Sequence, residues 1–232
     1  MLLPLFHVSV LSLYAYSLWY DQQYLDLPFP AKGYEEMPFK ARLMFLTMWC
    51  LILQSVYFFL SLMNDFFGSN EPFPRKRPII RLVKDTVFSL AFALAVYVGS
   101  SFWSIYHFDK ELIFPEKIER IFPRWLNHSM HTFIVLFILI ELFATNKNYP
   151  PRKVGVAIAT TFFLSYLIWM HILYERTGAW AYPIFKVLNL PARIAFFAVS
   201  ILGGLTLYIL GEKLNGLVCR PPRPSPKKQK KR

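Results

Sequence analysis

Charge is nearly absent from long stretches of this 232-residue chain, and the residues that usually build metal or disulfide frameworks are few: five histidines and two cysteines. Cys50 lies inside one apolar run and Cys219 just beyond another, so they suggest no disulfide and no metal cage. There is no HExxH and no HxxHH box, and five histidines are too few for a histidine-rich di-iron lipid hydroxylase. No polar segment is long enough for a separate soluble domain, and no internal repeat is visible. The first apolar run has no basic region before it and no A-x-A-like site before Asp21, which argues for a retained helix and against a cleaved signal peptide.

What is there is apolar and aromatic. The chain is 55% hydrophobic and 18% aromatic, and its net charge of +12 is confined to short segments between long apolar runs. A helix needs about 20 residues to cross a bilayer. Six runs approach that length, at 2–20, 43–63, 82–105, 126–145, 154–174 and 192–211. The expected fold is therefore all-α, a polytopic membrane bundle of six transmembrane helices over residues 1–211. A basic, disordered cytoplasmic tail is expected at 212–232. The basic segments are short loops and a tail, which points to a membrane partner and to no nucleic acid.

Six spans place both termini on one side. That side holds 16 of the 26 Lys and Arg residues, so the termini are expected to be cytoplasmic, an assignment that leans on the tail. Trp19, Trp49, Trp103, Trp125, Trp169 and Trp180 all fall toward the opposite side, as interfacial tryptophans do.

Pro38 marks the expected start of the second helix, whose Thr47 and Gln54 share a face. Ala91, Ala95 and Gly99 have the spacing of a close helix contact, and Gly155 with Ala159 repeats it. The run Pro72–Pro78 suits a cytoplasmic turn that fixes topology. Residues 106–124 mix apolar and charged side chains, as an interfacial helix or lid would. His7 reads as packing. Cys219, beside Arg220 at the end of the sixth span, is a palmitoylation candidate. The ending Lys228-Gln-Lys-Lys-Arg232 resembles an endoplasmic reticulum retrieval signal, which competes with residence at the cell membrane.

The chemistry centres on His131 and Thr47. An ionisable side chain within a span is costly and is a functional candidate by default. Helices two and four enter from the same side, Thr47 nine residues after Pro38 and His131 eight after Pro123, so the two are expected at one depth. A threonine hydroxyl becomes a useful nucleophile when a neutral imidazole takes its proton. Asn127, one turn before His131, is placed to orient the ring or to donate to an oxyanion. His171 and Glu175, an i,i+4 pair, are supporting candidates. Each has a bland competitor: Thr47 bonding back to the Leu43 carbonyl, His128 serving a headgroup. A zinc held by His128, His131 and His171 is the rival chemistry, though the histidine count and spacing favour a metal-free site with no cofactor. A non-enzymatic membrane scaffold or lipid-binding protein is the rival outside enzymology.

These residues carry a resemblance. Thr47 in Leu46-Thr47-Met48-Trp49-Cys50, His131 in Asn127-His128-Ser129-Met130-His131-Thr132, and the number and placing of the runs resemble the androgen-induced gene family of six-span membrane proteins. The resemblance implies an intramembrane threonine hydrolase that cleaves fatty acid esters of hydroxy fatty acids, with Thr47 as nucleophile and His131 as its partner. It also implies a lipid ester substrate and a regulatory link to tissue factor pathway inhibitor at the endothelial surface.

Overall fold

The computed structural model describes residues 2–71, 74 and 78–219. Six long helices occupy the apolar runs: α1 (Leu2–Tyr24), α2 (Leu46–Phe67), α3 (Ile79–Asp109), α4 (Arg124–Ala144), α5 (Arg152–Thr177) and α6 (Leu190–Val218). No strand occurs among the described residues, and the chain is a helical membrane bundle. Five helices are both long and apolar enough to cross a bilayer, and α3 is not among them, so the expectation of six such spans is met for five. α3 is the remaining long helix. It carries Arg81, Lys84 and Asp85 near its start and no Asp, Glu, Lys or Arg from Thr86 to Phe108. Residues 88–95 are buried without a break, which puts every side of that stretch against protein. By contrast Ile194, Val199, Leu202 and Leu210 of α6 point outward, as suits a helix whose outer face meets lipid.

The helices alternate in direction. His7 of α1 meets Asp65 near the end of α2 and Glu141 near the end of α4. Arg81 at the start of α3 donates to the carbonyl of Asn146 just past α4, and Arg152 at the start of α5 pairs with Glu212 of α6 at 2.8 Å. That end of the bundle, where α1 begins and α6 ends, holds a buried polar network. Glu141 accepts from Tyr57 at 2.6 Å and from Thr145 Oγ1 at 2.7 Å, and lies 3.0 Å from His7 Nε2. His7 Nδ1 is 2.6 Å from Asp65. Lys147 donates to the Glu141 and Thr145 carbonyls, and Asp85 accepts from the Asn148 amide at 2.9 Å. His7 is thus no mere packing residue. Glu141, the one acidic residue in the apolar run of α4, is the signal that would have exposed this network, since an ionisable group in a span needs a partner.

Several boundaries move. α1 runs on to Tyr24 and so contains Asp21, and α6 runs on to Val218, seven residues into the segment expected to be a disordered tail. The basic residues 75–77 of the expected cytoplasmic turn lie outside the described residues, as do 220–232 with the Lys228 ending. The largest correction concerns α2. Pro38 does not start it but opens a separate turn, Pro38–Met44, in which Phe39, Lys40 and Ala41 have φ of 53°, 48° and 56°. Left-handed backbone costs a non-glycine residue about 1–2 kcal/mol. A right-handed helix cannot run through it, so α2 begins only at Leu46. Buried Arg42 holds the turn: its Nε–H is shared between the two Asp21 carboxylate oxygens, each at 3.0 Å, and it donates to the Leu25 carbonyl. The expected lid, 106–124, is built from the end of α3, two short turns at Lys110–Leu112 and Glu116–Glu119, and a buried Phe114. Glu119 ties it down, accepting from Lys110 and Tyr106 at 2.6 Å each.

Candidate active site

Thr47 is the second residue of α2, at the helix's positive end. It therefore sits in the first turn of α2 and not nine helical residues into it, as was expected from Pro38. Its Oγ1 lies 3.2 Å from Nε2 of His131. The competing bond to Leu43 is not made: that carbonyl accepts from the indoles of Trp49 at 2.8 Å and Trp169 at 2.9 Å.

His131 sits in a π-helical turn, Ser129–Phe133, inside α4. Such turns break the regular ladder and recur at functional sites. Neighbours hold this one from two sides. From α1, Tyr14 donates to the Phe133 carbonyl at 3.3 Å and Ser17 Oγ meets Ser129 Oγ at 2.8 Å. From α3, Trp103 Nε1 donates to Thr132 Oγ1 at 3.2 Å, and the Phe102 ring stacks on His131 with centroids 3.6 Å apart and planes at 12°.

The tautomer follows from the partners. Nδ1 of His131 faces two acceptors, the Asn127 side-chain oxygen at 2.7 Å and the Asn127 carbonyl at 3.0 Å. It must carry the proton, which leaves the Nε2 lone pair toward Thr47. Thr47, His131 and Asn127 therefore form a hydrogen-bonded chain of hydroxyl, imidazole and amide.

Gly99 makes this possible. A Cβ there would stand 2.7 Å from the His131 carbonyl oxygen and 2.4 Å from Val135, so the small-residue face of α3 packs directly on the π-turn. Gly99→Ala is expected to push α3 and α4 apart while the bundle still folds. A shift approaching 1 Å at the imidazole costs on the order of 10²-fold in rate. Turnover falling tenfold or more at near-normal thermal stability would bear this out, and unchanged turnover would refute it.

The other candidates are placed elsewhere. His128 is exposed, 3.1 Å from Thr132 Oγ1, and stacks on Trp103. His171 is exposed and donates to the Leu167 carbonyl at 2.8 Å, and neither it nor exposed Glu175 lines the cavities at Thr47. The three histidines of the zinc alternative thus do not converge, and among the described residues no other group of three His, Cys, Asp or Glu is arranged to hold a metal. Cys219 Sγ accepts from the Lys147 amide at 3.3 Å, well away from this site. Gln54 donates to the Ala91 carbonyl at 2.8 Å and serves packing.

Two cavities meet at the pair. One, of about 110 Å³, is almost wholly apolar and lies among α3, α5 and α6 against Tyr97, Phe163, Phe197 and Ile201. The other, of about 200 Å³, runs under the lid past Phe114, Ile118 and buried Arg42 to the exposed Lys117 and Lys186. Thr47, Phe102, Ile113 and Tyr182 line both, while His131 faces the second. Tyr182 escaped the sequence analysis because a loop tyrosine carries no positional signal.

The FAR-17a/AIG1-like family model matches residues 3–216. The androgen-dependent TFPI-regulating protein of Mesocricetus auratus is 32% identical over 209 residues, 87% of this chain and 90% of that one. The same-named protein of Rattus norvegicus is 34% identical over 91% of this chain and 90% of its own length. The androgen-induced gene 1 protein of Homo sapiens is 35% identical over 75% of this chain and 76% of its own. No solved structure matches. With the Thr47–His131 pair and all but the outermost residues of the six long helices inside the matched region, the chain belongs to the FAR-17a/AIG1-like family.

Proposed function

We propose that this protein hydrolyses lipid esters within the membrane, with Thr47 as nucleophile and His131 as general base. The observation that supports it is a threonine hydroxyl 3.2 Å from the unprotonated nitrogen of a tautomer-fixed imidazole, at the junction of two cavities. His131 Nε2 takes the Thr47 proton as Oγ1 bonds to the ester carbon and the carbonyl π electrons move onto oxygen. Collapse breaks the bond to the leaving alkoxide, which receives that proton from His131. Water, activated by the same nitrogen, then cleaves the threonine ester and frees the acid.

The cavities suit a substrate with a lipid arm on each side of the ester. One arm lies in the apolar chamber among α3, α5 and α6, and the other passes under the lid toward Lys117 and Lys186 at the mouth. A fatty acid ester of a hydroxy fatty acid, the substrate class the family resemblance implies, has that form, with its free carboxylate directed at the lysines. The name of the hamster and rat relatives adds the proposal of a functional link to tissue factor pathway inhibitor. The test is turnover by purified protein in detergent or nanodiscs, offered such an ester and a triacylglycerol. Preferential release of acid from the former is expected, and no release from either would leave a non-enzymatic membrane scaffold in its place.

A further inference from the structure

If Thr47 attacks an ester, charge develops on the carbonyl oxygen, and something in a dry site must donate to it. Asn127 is badly placed for this, because its side chain meets His131 Nδ1, on the far side of the ring from the Nε2 that faces Thr47. We infer that the donor is the phenol of Tyr182, which makes Tyr182 a third catalytic residue of this site.

Tyr182 lies in the loop between α5 and α6 and, like Thr47, lines both cavities. Its oxygen accepts from the Leu46 amide at 2.9 Å, which anchors the phenol to the residue preceding the nucleophile. The hydroxyl stands beside that of Thr47. The nearby Met44 carbonyl is taken by Tyr166 at 2.8 Å, and among the described residues no backbone carbonyl accepts from Tyr182, so its proton is shared only with the neighbouring hydroxyls of Thr47 and Tyr166 and can turn to a carbonyl oxygen that enters between them. The ring is fixed by edge contacts with Phe45 at 5.5 Å and Phe185 at 6.1 Å. Burial raises the phenol above its ordinary value, so it stays protonated as a donor over the working range.

The geometry also explains the placing of Thr47 in the first turn of α2. The Thr47 amide, at the second helical position, has no acceptor within its own helix and is the natural second donor to the same oxygen. As the carbonyl carbon becomes tetrahedral, its oxygen gains a full negative charge, the Tyr182 O–H bond points at it, and no proton is transferred. On collapse the oxyanion's electron pair re-forms the carbonyl bond, and the negative charge leaves with the alkoxide, which takes its proton from His131.

The inference rests on the proposed hydrolysis, and the two are separable. If Thr47→Val still hydrolyses the ester, the nucleophile assignment falls whatever Tyr182 does. If Thr47→Val is inert and Tyr182→Phe keeps wild-type kcat, only the donor assignment falls. The expected result for Tyr182→Phe is a loss in kcat of about 10²–10³ with KM little changed. A trifluoromethyl ketone analogue, which forms an oxyanion on Thr47, should weaken by the same factor, while an ether analogue with no carbonyl binds as before. Equal weakening of both analogues would mean that Tyr182 only caps Leu46, and would overturn the proposal. Should Tyr182→Phe fail to fold, fluorotyrosines at 182 keep the hydroxyl and vary its acidity. kcat should then rise with phenol acidity until the phenol ionises, and an unchanged kcat across the series would count against it.

Discussion

Thr47→Val should lose ester hydrolysis by at least about 10³-fold while the protein still folds. Valine keeps the shape of threonine and removes one hydroxyl, whose partner in the structure is His131 Nε2. The loss therefore reads chemistry and not packing. His131→Ala should be as severe, since without Nε2 nothing withdraws the Thr47 proton. The double variant should be scarcely worse than either single one, because members of one catalytic unit fail together. Thr47→Ser, which keeps a hydroxyl, should retain part of the rate. Asn127→Ala should fall between, on the order of 10–100-fold down, because it frees the ring but leaves the Asn127 carbonyl on Nδ1. Steady-state turnover of purified variants, normalised to folded protein by thermal denaturation, decides the matter. Full hydrolysis by well-folded Thr47→Val would sink the mechanism.

The second large effect is on stability and belongs to the opposite end of the bundle. Glu141→Leu should cost about 3–5 kcal/mol, because it strips one acceptor from a buried network and leaves the cationic members without it. His7 would keep only Asp65, and the hydroxyls of Tyr57 and Thr145 would each lose a short bond. Against a total stability of about 5–15 kcal/mol, that shift lowers both the melting temperature and the amount of protein that accumulates. Glu141→Gln, which keeps shape and some hydrogen bonding, should be milder. Ten residues of helix separate Glu141 from His131, roughly 15 Å, so turnover per folded molecule should stay near normal in either variant. A melting temperature for Glu141→Leu equal to wild type would show that the network contributes nothing to folding.

The sequence alone determined the class of molecule, because a bilayer imposes a length and a polarity on anything that crosses it. Apolar runs near 20 residues, with tryptophans gathered toward one end of them, are one-dimensional signals, and the helices appear where those signals lie. The pairing of Thr47 with His131 was legible for a related reason: a proton-exchanging side chain within a span stands out against its surroundings. The start of α2 was not legible. A proline announces a turn but not its hand, and the three consecutive left-handed residues are held by distant contacts, among them Arg42 reaching back to Asp21, twenty-one residues earlier, and Lys40 to Asp26. Nor could spacing show that His7, Asp65 and Glu141 meet, since their contact depends on which ends of α1, α2 and α4 adjoin. The π-turn at His131, the glycine that lets α3 approach it and the phenol of Tyr182 beside Thr47 were decided only in three dimensions. Each depends on contacts between helices or loops distant in sequence, and no local propensity records those.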